Sequence, residues 1–285
     1  MDGHHKQNPA YRPATEEPRK GLFYLDDVML LAPAPPPAAP IPQRPAQLAQ
    51  TLASTTRELG AAVDGWSSKA APPPGGVVLF ALYQQRLYRL LARDTKVAAA
   101  TLPQLAPSLR AVSADLIAAN RELYRLTPPL KSHTTIRVGR APPAASLLGY
   151  YREAQQRFHV PWELLASVNF VESKFGKLRN SSAAGAQGPM QFMPATWRQY
   201  GLGGDIHDAH DAVLGAANYL HASGAPRDLR RALHAYNPSS AYVDAVLRYA
   251  RRMRSDRRMF YELYNWQVFV KTAHGDRRVT GPGLP

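Results

Sequence analysis

Pro161-Trp-Glu-Leu-Leu-Ala-Ser-Val-Asn-Phe-Val-Glu-Ser-Lys-Phe-Gly176 carries a helical pattern with an acid set into its apolar face. Pro161 suits a first helical turn, where its missing N–H leaves nothing unpaired, and Gly176 suits the end. Leu165, Val168 and Glu172 are spaced by three and four, so they share a face. A carboxyl on that face loses hydration, which disfavours its charged form and raises its pKa towards the range of a general acid. Glu163, in the first turn, instead complements the helix dipole. From spacing alone, the plainer reading of Glu172 as a core acid paired with Lys174 or Arg179 is the stronger one.

The following loop changes that balance. Ala184-Gly-Ala-Gln-Gly-Pro-Met-Gln-Phe-Met-Pro-Ala-Thr-Trp197 leads into a helix started by Pro194. Gly185 and Gly188 allow backbone to approach a ligand closely. Met190 and Phe192 offer flat apolar contact and Gln191 offers both a donor and an acceptor, a combination suited to a sugar ring with an N-acetyl group. Around this core, helices are expected at Ser146–Phe158, Pro161–Phe175, Pro194–Tyr200, Asp211–Ala222, Arg227–Tyr236 and Ser240–Arg252.

Three ordered motifs carry a resemblance: Glu172-Ser173, the run Ser182-x-x-Gly-Ala-x-Gly-x-Met-Gln-x-Met-Pro-x-Thr196, and Ala235-Tyr-Asn237. Together, over about Leu147 to Met253, they resemble the soluble lytic transglycosylase (SLT) family, with its fold similar to goose-type lysozyme. Pro189 stands where that family usually has leucine, as in actinobacterial-type members. The resemblance implies cleavage of the β-1,4 bond between N-acetylmuramic acid and N-acetylglucosamine in peptidoglycan, with 1,6-anhydro ends. It implies Glu172 as sole catalytic carboxylate, acid first and base second, with no metal and no cofactor. It further implies that Ser182, Met190 and Gln191 line the sugar site and that Tyr236 and Asn237 approach from the opposite wall. A hydrogen bond from Tyr236 is expected to tune Glu172. A hydrolase on the same scaffold and a non-catalytic wall-binding protein are the alternatives.

The expected fold class is mainly α: a lysozyme-like catalytic domain over 144–259, preceded by a helical region and linker over 46–143. Within the latter, Leu109, Val112, Leu116, Ala119 and Leu123 form a stripe that needs a partner helix, and Val77 to Ala92 is a second helix whose face holds Leu79, Tyr83, Arg86, Leu87, Leu90 and Leu91. Residues 1–45 hold seven prolines between Pro33 and Pro45 and are expected to be a disordered tail or linker, with the apolar runs Leu22–Leu25 and Val28–Leu31 too short to stand alone. At the other end, over 260–285, Trp266, Val268 and Val270 alternate with Gln267, Phe269 and Lys271 before His274-Gly275-Asp276, the pattern of a terminal β-hairpin.

The composition sets the outer limits. There is no cysteine, which excludes disulfides, zinc–thiolate sites and cysteine nucleophiles. The 35 Lys and Arg against 21 Asp and Glu leave a formal charge of +14, which attracts polyanions. Arginines scattered or clustered at helix ends, without a nucleic-acid-binding motif, make nucleic acid a weaker candidate than anionic lipid or an anionic cell-wall polymer. No apolar run approaches the roughly 18 residues of a spanning helix, and Met1 to Lys20 lacks the apolar run of a secretory signal. An extracytoplasmic location is therefore expected from the substrate rather than from a leader. His207 and His210 among Asp205, Asp208 and Asp211 resemble a metal cluster, but without a fixed scaffold the stronger reading is a solvated loop with Asp211 or Asp208 capping a helix.

Overall fold

The computed structural model describes residues 32–131 and 134–284, which fall in one compact unit. It is mainly helical and ends in an antiparallel hairpin. The apolar runs at 22–25 and 28–31 lie outside the described residues. Four helices come first: α1 (Pro45–Gly65), α2 (Gly75–Arg93), α3 (Thr95–Thr101) and α4 (Pro107–Leu126). The segment expected to carry the chemistry supplies α5 (Ala144–Phe158), α6 (Trp162–Ser173), α7 (Pro194–Tyr200), α8 (Ala209–Ala222), α9 (Leu229–Tyr236), α10 (Ser240–Ser255) and α11 (Arg258–Tyr264). Strands β1 (Phe269–Thr272) and β2 (Gly275–Arg278) close the chain, with Thr272 opposite Gly275. The turn is therefore Ala273-His274, one residue earlier than the sequence suggests.

Local chemistry explains the helix starts. Proline occupies the first turn of α1, α4 and α7. Asp94, Asp208, Asp228 and Ser239 cap α3, α8, α9 and α10 by accepting backbone N–H groups of the first turn, each worth about 1 kcal/mol.

The partner of the α4 stripe is α10, and both belong to one continuous core running from Leu48 of α1 to Trp266. Leu116 and Ala119 are buried there, with Leu109, Val112 and Leu123 packed on its edge. Beside them Asp115 of α4, 5% exposed, accepts from Arg248 (3.0 Å), Arg251 (2.5 Å) and Arg252 (2.5 Å) of α10. Three arginines counted as surplus charge in the sequence are thus tied to an internal acid.

Helix α2 departs from its expected single face. It is buried on most sides, including Gln84 and Gln85. The reason is the chain after α11: Gln85 both donates to the carbonyl of Gln267 and accepts from its N–H, each at 2.8 Å. Gln84 accepts from the indole of Trp266 at 3.2 Å. Burial of the two amides costs little because a backbone segment and an indole satisfy them. Arg86 and Tyr83 reach the other way, to the carbonyls of Pro37, Ala39 and Pro40, and hold the proline-rich stretch 36–40 against α2.

Candidate active site

Helix α6 lies at the centre, against α5, α8, α10 and α11, and is buried all round from Leu164 to Phe170. It has no single apolar stripe; Glu172 is instead the place where the helix emerges, half-buried, one residue before its end. The helix stops earlier than Gly176. Lys174 (φ 53°), Phe175 (φ 61°) and Gly176 (φ 81°) turn left-handed in succession, a conformation a bulky residue holds only when its surroundings impose it. Phe175 is fully buried among Phe170, Phe260 and Tyr264, at ring separations of 5.5 to 6.0 Å.

One carbonyl ties this helix end to the glycine-rich loop. Asn169 (2.8 Å) and Ser173 (2.5 Å) both donate to the carbonyl of Pro189, while Tyr151 donates to Asn169 at 2.6 Å. What residue 189 supplies here is backbone, so proline in place of leucine leaves the clamp intact. The loop also pairs with itself, Gln187 and Phe192 exchanging backbone hydrogen bonds of 2.8 Å. Gly188 (φ 74°) has the close backbone approach expected of it, but the neighbour is the carbonyl of Ile206, with which a Cβ would collide, and not a ligand.

The residues singled out from sequence divide into two groups. Met190 (0% exposed) and Phe192 (2%) sit in the core, Phe192 packed on Trp197 and Tyr236. They shape the loop from below and do not present the open apolar faces expected of them. Ser182 is exposed, its hydroxyl accepting from Ala186 N–H at 3.0 Å. Gln191, Tyr236 and Asn237 are half-buried. Gln191 adopts φ 51° and donates to the carbonyls of Gly188 at 2.9 Å and Asn180 at 3.3 Å, while its side-chain carbonyl has no partner among the described residues. The apolar side chain that does face solvent is Met193, 43% exposed, which the sequence reading passed over in favour of Met190.

The tyrosine expected to tune Glu172 is a different one. Tyr236 donates to the carbonyl of Met190 at 2.6 Å and so secures the loop. The hydrogen bond to Glu172 Oε1, also 2.6 Å, comes from Tyr242 of α10. Tyr242 lies three residues after the Ser239 cap, on the turn of α10 that meets α6; that position was the signal available in the sequence.

Burial pushes the Glu172 carboxyl up to about 7, against the opposing pull of the Tyr242 hydrogen bond and the Lys174 charge. Lys174 is brought down to about 8 by the same burial. The site therefore offers an acid poised to give and retake a proton near neutrality.

In the Asp205–Asp211 loop, Asp208 caps α8, His207 N–H is held by Asp205, and His210 Nε2 meets Glu153 of α5 at 2.9 Å. Donor atoms of Asp208, His210 and Asp211 lie within 4.8 Å of one another, whereas His207 stays outside the group. Asp211 Oδ2 accepts from the Asp205 N–H at 2.9 Å, so these acids chiefly organise their own loop.

A helical scaffold that holds a half-buried, protonatable glutamate at the end of its central helix, beside a self-paired loop, has the build of a lysozyme-like domain. Comparison with known families agrees: residues 149–258 match the Transglycosylase SLT domain, a domain of lytic-transglycosylase type. No curated protein and no solved structure matches the chain. Among the described residues no helix is long and apolar enough to cross a membrane.

Proposed function

We propose that the protein is a peptidoglycan lytic transglycosylase that cleaves the N-acetylmuramic acid–β-1,4–N-acetylglucosamine bond and leaves 1,6-anhydro ends, with Glu172 as its acid and base. The observation that carries this reading is the solitary state of Glu172. Among the described residues its carboxylate has one hydrogen-bond partner, the Tyr242 hydroxyl at 2.6 Å, and no carboxyl group is paired with it. Hydrolysis by the common two-carboxylate routes needs a second acid as base or nucleophile. The next acids along the chain, Asp205, Asp208 and Asp211, are engaged within their own loop.

In the proposed reaction, protonated Glu172 donates to the bridging oxygen as its bond to C1 breaks, and the muramic N-acetyl group stabilises the cation left at C1. The Glu172 carboxylate then takes the proton of the same sugar's C6 hydroxyl while O6 bonds to C1. One bond is broken, one is formed, and the proton is back on Glu172 without water, metal or cofactor. Tyr242 steadies the carboxylate between the two transfers. Ser182, Gln191, Tyr236 and Asn237 contact the sugars, and Met190 and Phe192 support them from beneath. The protein acts at the cell wall, outside the cytoplasm. Its positive surplus, including the cavity of about 330 Å³ lined by Arg230, Arg231 and His234, draws it to anionic wall polymers by an attraction that salt screens.

Mass spectrometry of digested sacculi tests the reading. Anhydro-ended fragments are expected from the wild type and none from Glu172→Gln, which should still bind the wall. Reducing ends would make the protein a muramidase, and clearing by the Gln variant would remove Glu172 from the chemistry.

A further inference from the structure

The corner between α5 and α6 holds a second concavity, shallow and wide open to solvent, lined by Gln155, Gln156, His159, Pro161, Trp162 and Glu163. It lies at the far end of α6 from Glu172. Ten residues at 1.5 Å per residue place Trp162 roughly 15 Å from Glu172 along the helix axis. None of its lining residues belongs to the site described above.

The polar groups here are open on the side of the concavity. Glu163 is 9% exposed, its apolar stem covered, and its carboxylate takes no hydrogen bond from any described residue while remaining open to solvent, so a donor entering the concavity can reach it. Trp162 is half-buried, one edge against Phe260 at a ring separation of 6.2 Å, and its indole N–H likewise has no partner among the described residues. The side-chain carbonyl of Gln155 is fixed by the Trp162 backbone N–H at 2.7 Å, which leaves its NH₂ as a donor. Gln156 is exposed, with both ends of its amide open to a ligand.

The guest can be deduced by elimination. In a chain with a surplus of +14, neither Lys nor Arg lines this cavity, so an anion is not its complement. A single carboxylate and an exposed histidine do not make a cation site. What remains is an indole, two primary amides, an imidazole and a carboxylate, which together match a neutral ring with one apolar face and several hydroxyl and acetamido groups on its rim. We propose that this cavity is a second glycan subsite, which grips an N-acetylated sugar of a β-1,4 glycan at a distance from the cleavage point. The identity of the sugar rests on the proposed action on peptidoglycan; the existence of the subsite does not. Two separated grips on one polymer raise its local concentration at the enzyme.

The test uses the full-length Glu172→Gln chain, titrated with the β-1,4-linked N-acetylglucosamine tetramer while NMR follows the Trp162 indole N–H. A saturable shift of that signal is expected. Gln156→Ala, at an exposed position where folding is not at stake, and Glu163→Gln, which keeps the shape, should each weaken that titration about fivefold. An indole signal that stays still while other signals saturate would overturn the proposal, as would parental affinity in both variants. The two readings fail separately. Trp162 titrating in a protein whose wild type releases no anhydro ends leaves the subsite standing and removes the transglycosylase, and the converse result does the reverse.

Discussion

Helix α10 reaches two acids, Glu172 of α6 through Tyr242 and Asp115 of α4 through Arg248, Arg251 and Arg252. Asp115 is buried and Glu172 half-buried, and both are pushed by loss of hydration towards the neutral form. At Glu172 the opposition is one neutral hydroxyl and one lysine, so burial prevails and the carboxyl rises to about 7. At Asp115 burial is outweighed by hydrogen bonds and charge from Arg251 and Arg252, which hold the carboxyl below the usual range. The charge of the partner, more than depth, decides whether a buried acid keeps its proton. The linkage signs are opposite as well. The contribution of Glu172 to stability is complete below its unfolded value of 4.5 and is lost as pH rises through about 7. That of Asp115 is present above its unfolded value of 3.8 and is lost as pH falls through its lower folded value.

Breaking the ionised member of the pair should have the larger effect on the fold. Asp115→Asn leaves three guanidinium groups around a neutral amide, and a loss of about 3 kcal/mol in unfolding free energy is expected. Denaturant midpoints at pH 7 measure it, and the gap should narrow in strong acid, where the wild-type carboxyl is protonated too. Equal midpoints at pH 7 would mean that the cluster holds nothing together.

Exchanging the neutral donor sharpens the other side. Tyr242→Phe removes a hydrogen bond that lowers Glu172, so the alkaline fall of the pH–rate profile should move to higher pH. The rate at the optimum should drop about tenfold, because the carboxylate formed midway loses its donor. A fall that stays in place would show that Tyr242 does not bond the acid in solution.

This contrast also separates what the sequence carries from what it does not. The helix starts are written in local chemistry, Pro194 and the caps at Asp208 and Ser239 among them, and the acid on α6 is marked by its position among apolar residues. The choice between Tyr236 and Tyr242 is not local. Both lie near the third motif, and which hydroxyl meets Glu172 depends on how α10 crosses α6, a matter of tertiary packing. Met190 and Phe192 mislead for the same reason: an apolar side chain in a loop can face a ligand or the core, and only the fold decides. Asp115 drew no attention because its partners are more than 130 residues away, and the burial of Gln84 and Gln85 depends on partners still further along the chain, after α11.

The finest test concerns Lys174, two residues beyond the proposed acid. Its left-handed backbone (φ 53°) folds the ammonium back to the Phe170 carbonyl at 3.0 Å and over the Phe170 ring at 4.1 Å, and its charge draws Glu172 down after Tyr242 does. Lys174→Met keeps the length of the side chain and removes the charge, so Glu172 should rise, by less than in Tyr242→Phe. In acid the carboxyl is protonated in both proteins and the rates should agree. Between pH 7 and about 8 the variant should hold more of its acid form and be about twofold faster in any step limited by proton donation. Above that the difference should fade, because Lys174 itself gives up its proton at about 8. Lys174→Arg should keep Glu172 low throughout. Superimposable profiles for Met, Arg and wild type would leave the hydroxyl of Tyr242 as the sole opposition to burial at this acid.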